Sequence, residues 1–119
     1  AQARIWWEKA ALHGDADAQA NLGVMYAEGQ GVAQDFAQAI AWYEKAAAQG
    51  DPDAQCILGE MYADGQGVEQ DDVQAYKWFS LAGSCGIEEA MTALEELETI
   101  MTKAQIAEAQ KLAEKWKPS

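Results

Sequence analysis

Residues 15–50 read DADAQANLGVMYAEGQGVAQDFAQAIAWYEKAAAQG, and residues 51–86 read DPDAQCILGEMYADGQGVEQDDVQAYKWFSLAGSCG. Set in register, the two stretches agree at 20 of 36 positions, from Asp15/Asp51 through Trp42/Trp78 to Gly50/Gly86. Self-similarity at a fixed period of this length marks supersecondary units that bury their apolar faces only by stacking. Residues 1–14 also match residues 37–50 at nine of fourteen positions, so the chain opens in the second half of a unit. The expected organisation is a single domain over 1–119. It comprises half a unit at 1–14, whole units at 15–50 and 51–86, and terminal helices with a cap at 87–119. On this reading the chain is a stretch of a longer array, and any export signal would precede it.

Within a unit, the spacing predicts two helices joined by a glycine-marked turn. Ala18, Leu22, Met25 and Tyr26 share one face of a helix running from about Ala16 to Glu28. Asp15 and Asp51 suit its N-cap, and Pro52 suits its first position. Gly29 and Gly65 supply the left-handed residue that ends it. Gly31 and Gly67 allow the turn, which Val32 and Val68 staple to the hairpin. Asp35 and Asp71 cap the second helix, whose contact residues are Ala39, Trp42, Tyr43 and Ala46 in one copy. Ala75, Trp78, Phe79 and Ala82 take those places in the other. Gly23 and Gly59 sit mid-helix, where glycine costs about 1 kcal/mol relative to alanine. Close helix approach is the expected reason, with Trp42 and Trp78 filling the space left by the missing side chain.

After Gly86 the pattern changes. Ala90, Leu94 and Leu97 keep the first-helix spacing, but no glycine turn follows. Thr102 and Gln105 instead form a capping-box pair for a last helix through Ile106, Ala109, Leu112, Ala113 and Trp116. Lys103, Glu108, Lys111, Glu114, Lys115 and Lys117 mark its water-facing side. The predicted fold class is all-α: a right-handed α/α superhelix (solenoid) of stacked helical hairpins, closed by a C-terminal capping helix. At the other end Ile5, Trp6 and Trp7 form an unfinished apolar face, through which self-association is expected.

The net charge is −12, and residues 51–98 hold twelve acids against one base, Lys77. Such a surface repels phosphate, so nucleic acid and anionic membranes are poor partners. No apolar run approaches the roughly 18 to 20 residues of a membrane span, so membrane insertion is not expected. Cys56 and Cys85 lie near ends that an antiparallel hairpin brings together, so either a bridge or two free thiols is compatible with the sequence.

Catalytic residues are not evident. His13 is the only histidine and occupies a turn position. Ser80, Ser84 and Ser119 lack the S-x-x-K arrangement of an acylating nucleophile and an acid–His pair to activate one. The Gly-Gln-Gly pairs at 29–31 and 65–67 follow helix C-termini, whose dipole disfavours phosphate. Asp15/Asp17 and Asp51/Asp53 lack the glycine and bidentate glutamate of a calcium loop, so they read as caps and no metal or cofactor is expected.

Geometry favours a binding surface instead. In stacked α-hairpins the first helices line the concave side, and the residues projecting inward are set by helical spacing. The candidate partner-binding set is Asp17, Ala20, Val24 and Glu28, then Asp53, Cys56, Glu60 and Asp64, continued by Glu89, Thr92 and Glu96. Asn21 and Ile57 are assigned to the second-helix side and left out. Seven of these eleven residues are acidic. The expectation is a concave acidic surface that holds a protein or peptide with a basic segment.

The run A-x-x-x-L-G-x-x-Y-x-x-G-x-G-V-x-x-D, followed by x-x-x-A-x-x-W-[YF]-x-x-A, resembles the Sel-1-like repeat family. These are α/α-hairpin relatives of tetratricopeptide repeats. The matching residues are Ala18, Leu22, Gly23, Tyr26, Gly29, Gly31, Val32, Asp35, Ala39, Trp42, Tyr43 and Ala46. In the second copy they are Ala54, Leu58, Gly59, Tyr62, Gly65, Gly67, Val68, Asp71, Ala75, Trp78, Phe79 and Ala82. The resemblance covers residues 1–98, and the closing MTKAQIAEAQKLAEKW resembles the C-terminal helix of bacterial members. It implies a non-enzymatic adaptor or scaffold from a bacterial, exported or periplasmic setting. A cysteine-rich branch implies an alternative, a penicillin-binding or β-lactamase-like hydrolase. That branch places its cysteines where this chain has Gln55 and Gly83, so the alternative does not carry over with its residues.

Overall fold

Four aspartates at equivalent places start the paired helices of the two full units. The Asp15 carboxylate accepts from the Ala18 amide at 3.2 Å, and Asp51 accepts from Asp53 at 3.0 Å and Ala54 at 3.4 Å. Asp35 and Asp71 do the same for Gln38 and Gln74, at 3.2 and 3.1 Å. Each such cap contributes about 1 kcal/mol by satisfying an amide the helix leaves unpaired. At the far end of each first helix, Gly29 and Gly65 take φ of 71° and 72°, the left-handed conformation a side chain disfavours.

The structure is a computed structural model that describes residues 2–118, with the side chains of residue 6 and of 8–118. Seven helices and no strands occur among the described residues: α1 (Gln2–Leu12), α2 (Ala16–Glu28), α3 (Phe36–Ala48), α4 (Pro52–Asp64), α5 (Asp72–Ser84), α6 (Glu88–Glu98) and α7 (Lys103–Lys115). Each helix from α1 to α6 packs on the next, and α7 returns to lie on α5. The result is an elongated all-α repeat solenoid of 47 × 25 × 21 Å. Apolar side chains from neighbouring units run together in its interior. Leu22 and Leu58, at equivalent positions, are fully buried, as are Ala39, Ala46, Ala75 and Ala82.

Close approach explains the mid-helix glycines, but the partner differs from the expected one. A Cβ on Gly23 would stand 2.7 Å from Cε1 of Tyr43, and one on Gly59 would stand 2.9 Å from Cδ1 of Phe79. Tyr43 and Phe79, rather than Trp42 and Trp78, fill the space. Adjacent residues of a helix differ by about 100° in direction, and here it is Tyr43 and Phe79, not the tryptophans one step before them, that point at the glycines. Away from that seam Trp78 is itself buried in the core, and Trp42 is half-buried. Lys45 Nζ lies 4.5 Å from the Trp42 ring centroid, and Lys77 Nζ lies 4.1 Å from that of Trp78.

The capping box of α7 is complete. The Thr102 amide donates to Gln105 Oε1 at 2.9 Å, and the Gln105 amide donates to Thr102 Oγ1 at 3.1 Å. Ala109 is buried, while Ile106 and Trp116 are half-buried. The Trp116 and Trp78 rings meet edge to face, with centroids 6.5 Å apart and planes at 73°. Leu112, expected on the inner face, is exposed instead, along with the six charged residues of the outer face. At the other end Trp6 is 69% exposed. The side chains of Ile5 and Trp7, named with it above, lie outside the described residues. Cys56 and Cys85 are both free thiols, the first buried and the second exposed.

Candidate functional site

The first helices α2, α4 and α6 carry two open recesses, one at each junction between them. The recess between α4 and α6 encloses about 410 Å³. Its walls are Glu60 and Asp64 from α4 and Glu89, Thr92 and Glu96 from α6, so five of the sequence-predicted residues meet here. Ala63, Phe79, Ala93, Leu97 and Ile100 add an apolar lining, and Gln70 and Asp72 also contribute. An apolar floor under a carboxylate rim suits a side chain with an aliphatic stem and a cationic head.

The recess between α2 and α4 is of similar size, about 410 Å³. Asp17, Ala20, Val24 and Asp53 from the predicted set line it, together with Asn21, Tyr43, Asp51, Ala54 and Ile57. Asn21 and Ile57 therefore belong to the lining and not to the second-helix side. Spacing explains the miss. Positions 17, 21, 24 and 28 recur at i, i+4, i+7 and i+11 on one helical face, as do 53, 57, 60 and 64. Glu28 lines neither recess, and Cys56 is buried behind the wall at 5% exposure.

The acids act on one another. Burial pushes Glu60 above the usual carboxylate range, and the Glu89 and Asp64 charges push it further. Asp51 is raised by burial against the two amide bonds it accepts, with Asp53 and Asp17 adding to the rise. The Tyr43 hydroxyl is pushed up to about 12 by burial, then by Glu28 and Glu60. Lys77, the one base of residues 51–98, lies over the Trp78 ring and lines neither recess. A surface of this kind gains most from a cation brought by something else.

The Sel1 repeat family model matches residues 1–15, 16–51 and 52–87, with boundaries one residue from those of the 36-residue period. The chain belongs to the Sel1 repeat family. No curated protein matches it. Among solved structures, it is similar to c5321, a protective antigen of uropathogenic Escherichia coli displaying an SLR fold. That likeness has 38% identity and a TM-score of 0.91 over 95% of this chain and 24% of the other. It is also similar to a Sel1 repeat protein from Oxalobacter formigenes, with 44% identity and a TM-score of 0.75 over 76% of this chain and 68% of the other. The chain thus spans about a quarter of the length of the first of these relatives. Sel1 repeats mediate protein interactions, and the family's proteins are generally scaffolds. Among the described residues no helix is long and apolar enough to cross a membrane.

Within this pair of Sel1 units, the repeated core positions are buried, while the recess lining mixes repeated and varied positions. The alanine, leucine, glycine and methionine of the first helix repeat at 18/54, 22/58, 23/59 and 25/61, and all of them are buried. Of the recess-facing positions, Asp17 and Asp53 are the same in both units, while Asn21 stands against Ile57 and Val24 against Glu60. The buried framework is held constant while part of the recess lining changes from unit to unit. The sequence reading missed Tyr43, Phe79, Leu97 and Ile100 as lining residues. Tyr43 and Phe79 come from the second helix of the same hairpin, and Leu97 and Ile100 from the end of α6 and the residues after it.

Proposed function

We propose that this chain is a non-enzymatic interaction scaffold that holds a basic segment of a partner protein against its acidic inner wall. The two recesses, one unit apart along the solenoid, would each take a lysine or arginine side chain of an extended peptide or loop. Glu60, Asp64, Glu89 and Glu96 would meet the cationic heads at one recess, and Asp17 and Asp53 at the other. Glu28 and Cys56 contribute from behind or beside these walls rather than by direct contact. The observation that carries this reading is the gathering of acids beside apolar side chains: Asp17 and Asp53 recur from unit to unit, Glu60 stands where the preceding unit has Val24, and neither recess is lined by a lysine or arginine. The hydrolase alternative finds no support, since Gln55 and Gly83 stand where the cysteine-rich branch has its cysteines. In addition, the Ser84 hydroxyl is committed to the Leu81 carbonyl at 2.7 Å.

Fluorescence anisotropy with a labelled peptide of alternating lysine and alanine tests the proposal, with a glutamate counterpart as control. Saturable binding of the lysine peptide alone is expected. It should weaken with added salt, and by more than about tenfold in Glu60→Lys/Asp64→Lys. Equal binding by the double variant would refute the placement. Indifference to peptide charge would refute the proposal itself.

A further inference from the structure

A sulfur and two carboxylates converge at one edge of the α4/α6 recess. Cys56 Sγ and one carboxylate oxygen each from Glu60 and Glu89 all lie within 4.8 Å of one another. Cys56 and Glu60 are four residues apart on α4 and share a face, and Glu89 reaches them from α6. The thiol is nineteen-twentieths buried and unbridged, and its sulfur lies within 4.8 Å of both carboxylates. Both carboxylates are exposed, so a hydrated ion has a route in.

The preceding unit shows that the fold does not require this donor set. Its equivalent positions hold Ala20 and Val24, with Asp53 in the place of Glu89. Two apolar residues therefore satisfy the same packing, and the second unit departs from them at both positions at once. As it stands, the cluster is mutually repulsive. Glu60 and Glu89 bring two carboxylates to one place beside a buried sulfur, with no lysine or arginine lining the recess. A divalent cation between the two carboxylates would be attracted by both.

We propose that Cys56, Glu60 and Glu89 form a binding site for one divalent transition-metal cation of the zinc class. One sulfur and two oxygens suit such an ion. Calcium takes about six to eight oxygens and magnesium a near-octahedral oxygen shell, and neither favours thiolate. Three protein donors leave the fourth position of a tetrahedral ion to water or to a donor from a partner. On binding, the S–H bond of Cys56 breaks and its proton passes to solvent. A metal–sulfur bond replaces it, and each carboxylate contributes one metal–oxygen bond. The site does not rest on the peptide reading, because metal alone tests it.

The experiment is a calorimetric titration of the reduced chain with zinc, repeated with cobalt and followed by absorption spectroscopy. One equivalent should bind, and cobalt should produce a sulfur-to-metal charge-transfer band in the near ultraviolet. Cys85→Ser should leave both signals intact. Cys56→Ala installs the residue found at position 20, so it should keep the helical circular dichroism while losing the band. Glu89→Gln and Cys56→Ala should each weaken zinc binding by more than about tenfold, since even residues that only orient ligands cause losses of that size. Absence of saturable binding, a band that survives Cys56→Ala, or one that disappears in Cys85→Ser would each overturn the assignment.

Discussion

The side-chain amide of Gln49 donates to Oε1 of Gln19 at 2.8 Å, tying the end of α3 to the start of α2. Gln19 in turn donates from Nε2 to the Ala11 carbonyl at 3.1 Å, so a buried polar side chain is satisfied on both sides. One unit later only half of this arrangement survives. Gln55 donates to the Ala47 carbonyl at 3.2 Å, yet its Oε1 has no hydrogen-bond partner although the residue is 1% exposed. The position equivalent to Gln49 is Cys85, which cannot make the bond with comparable strength.

Cys85→Gln should therefore stabilise the protein. A buried acceptor left without a donor costs about 1–3 kcal/mol, and a restored amide bond recovers part of that. The expected gain is about 1 kcal/mol, read as a higher urea midpoint at unchanged slope. Gln49→Cys should do the reverse at the other junction. Equal midpoints for Cys85→Gln and the parent chain would show that Gln55 is already satisfied by water.

Gly59→Ala should destabilise, although alanine is the better helix former by about 1 kcal/mol. The new methyl would stand 2.9 Å from the Phe79 ring, and backbone or ring must move to admit it. Overpacking of this kind costs about 1–3 kcal/mol, which exceeds the propensity gain. Combining it with Phe79→Leu should cost less than the two single changes added together, since the smaller side chain relieves the clash. Thermal unfolding of the four proteins in that cycle measures the coupling. Simple additivity would mean that Phe79 is not what Gly59 accommodates.

Most of the local structure was legible in the sequence because it rests on short-range chemistry. An aspartate two or three residues ahead of an amide, a glycine at a left-handed position and a Thr102/Gln105 pair are read without knowing the tertiary fold. Which of two adjacent aromatics meets a glycine was not legible in the same way. Trp42 and Tyr43 differ by one step of rotation, and only the packed hairpin shows that Tyr43 holds the seam. The recess lining was partly legible. Glu60, Asp64, Glu89, Thr92 and Glu96 follow from the repeat and helical periods together, and they do share a recess. Asn21 and Ile57 were lost by assigning one helical face too narrowly. Cys56 was placed on the open wall when its small side chain lets it sink behind it. Its approach to Glu89 depends on the distance between stacked units, and no single-unit pattern carries that distance.

The same crowding of acids predicts how stability responds to pH. Glu60 and Asp51 both titrate above their ordinary values in the folded chain, because burial and neighbouring carboxylates disfavour the charged form. A carboxyl whose folded pKa is raised binds its proton more tightly in the folded state, so its contribution is fully present below the unfolded pKa. That contribution is lost as pH rises through the raised value. Acidification from neutral pH towards the upper edge of the carboxylate range should therefore raise the melting temperature, with self-repulsion at net charge −12 acting in the same direction. Glu60→Gln should raise the melting temperature at neutral pH and flatten its dependence on pH, since the amide cannot charge. Differential scanning calorimetry of both proteins at several pH values provides the measurement. A melting temperature that falls steadily on mild acidification would mean that the recess carboxylates are held by partners that favour their ionised form.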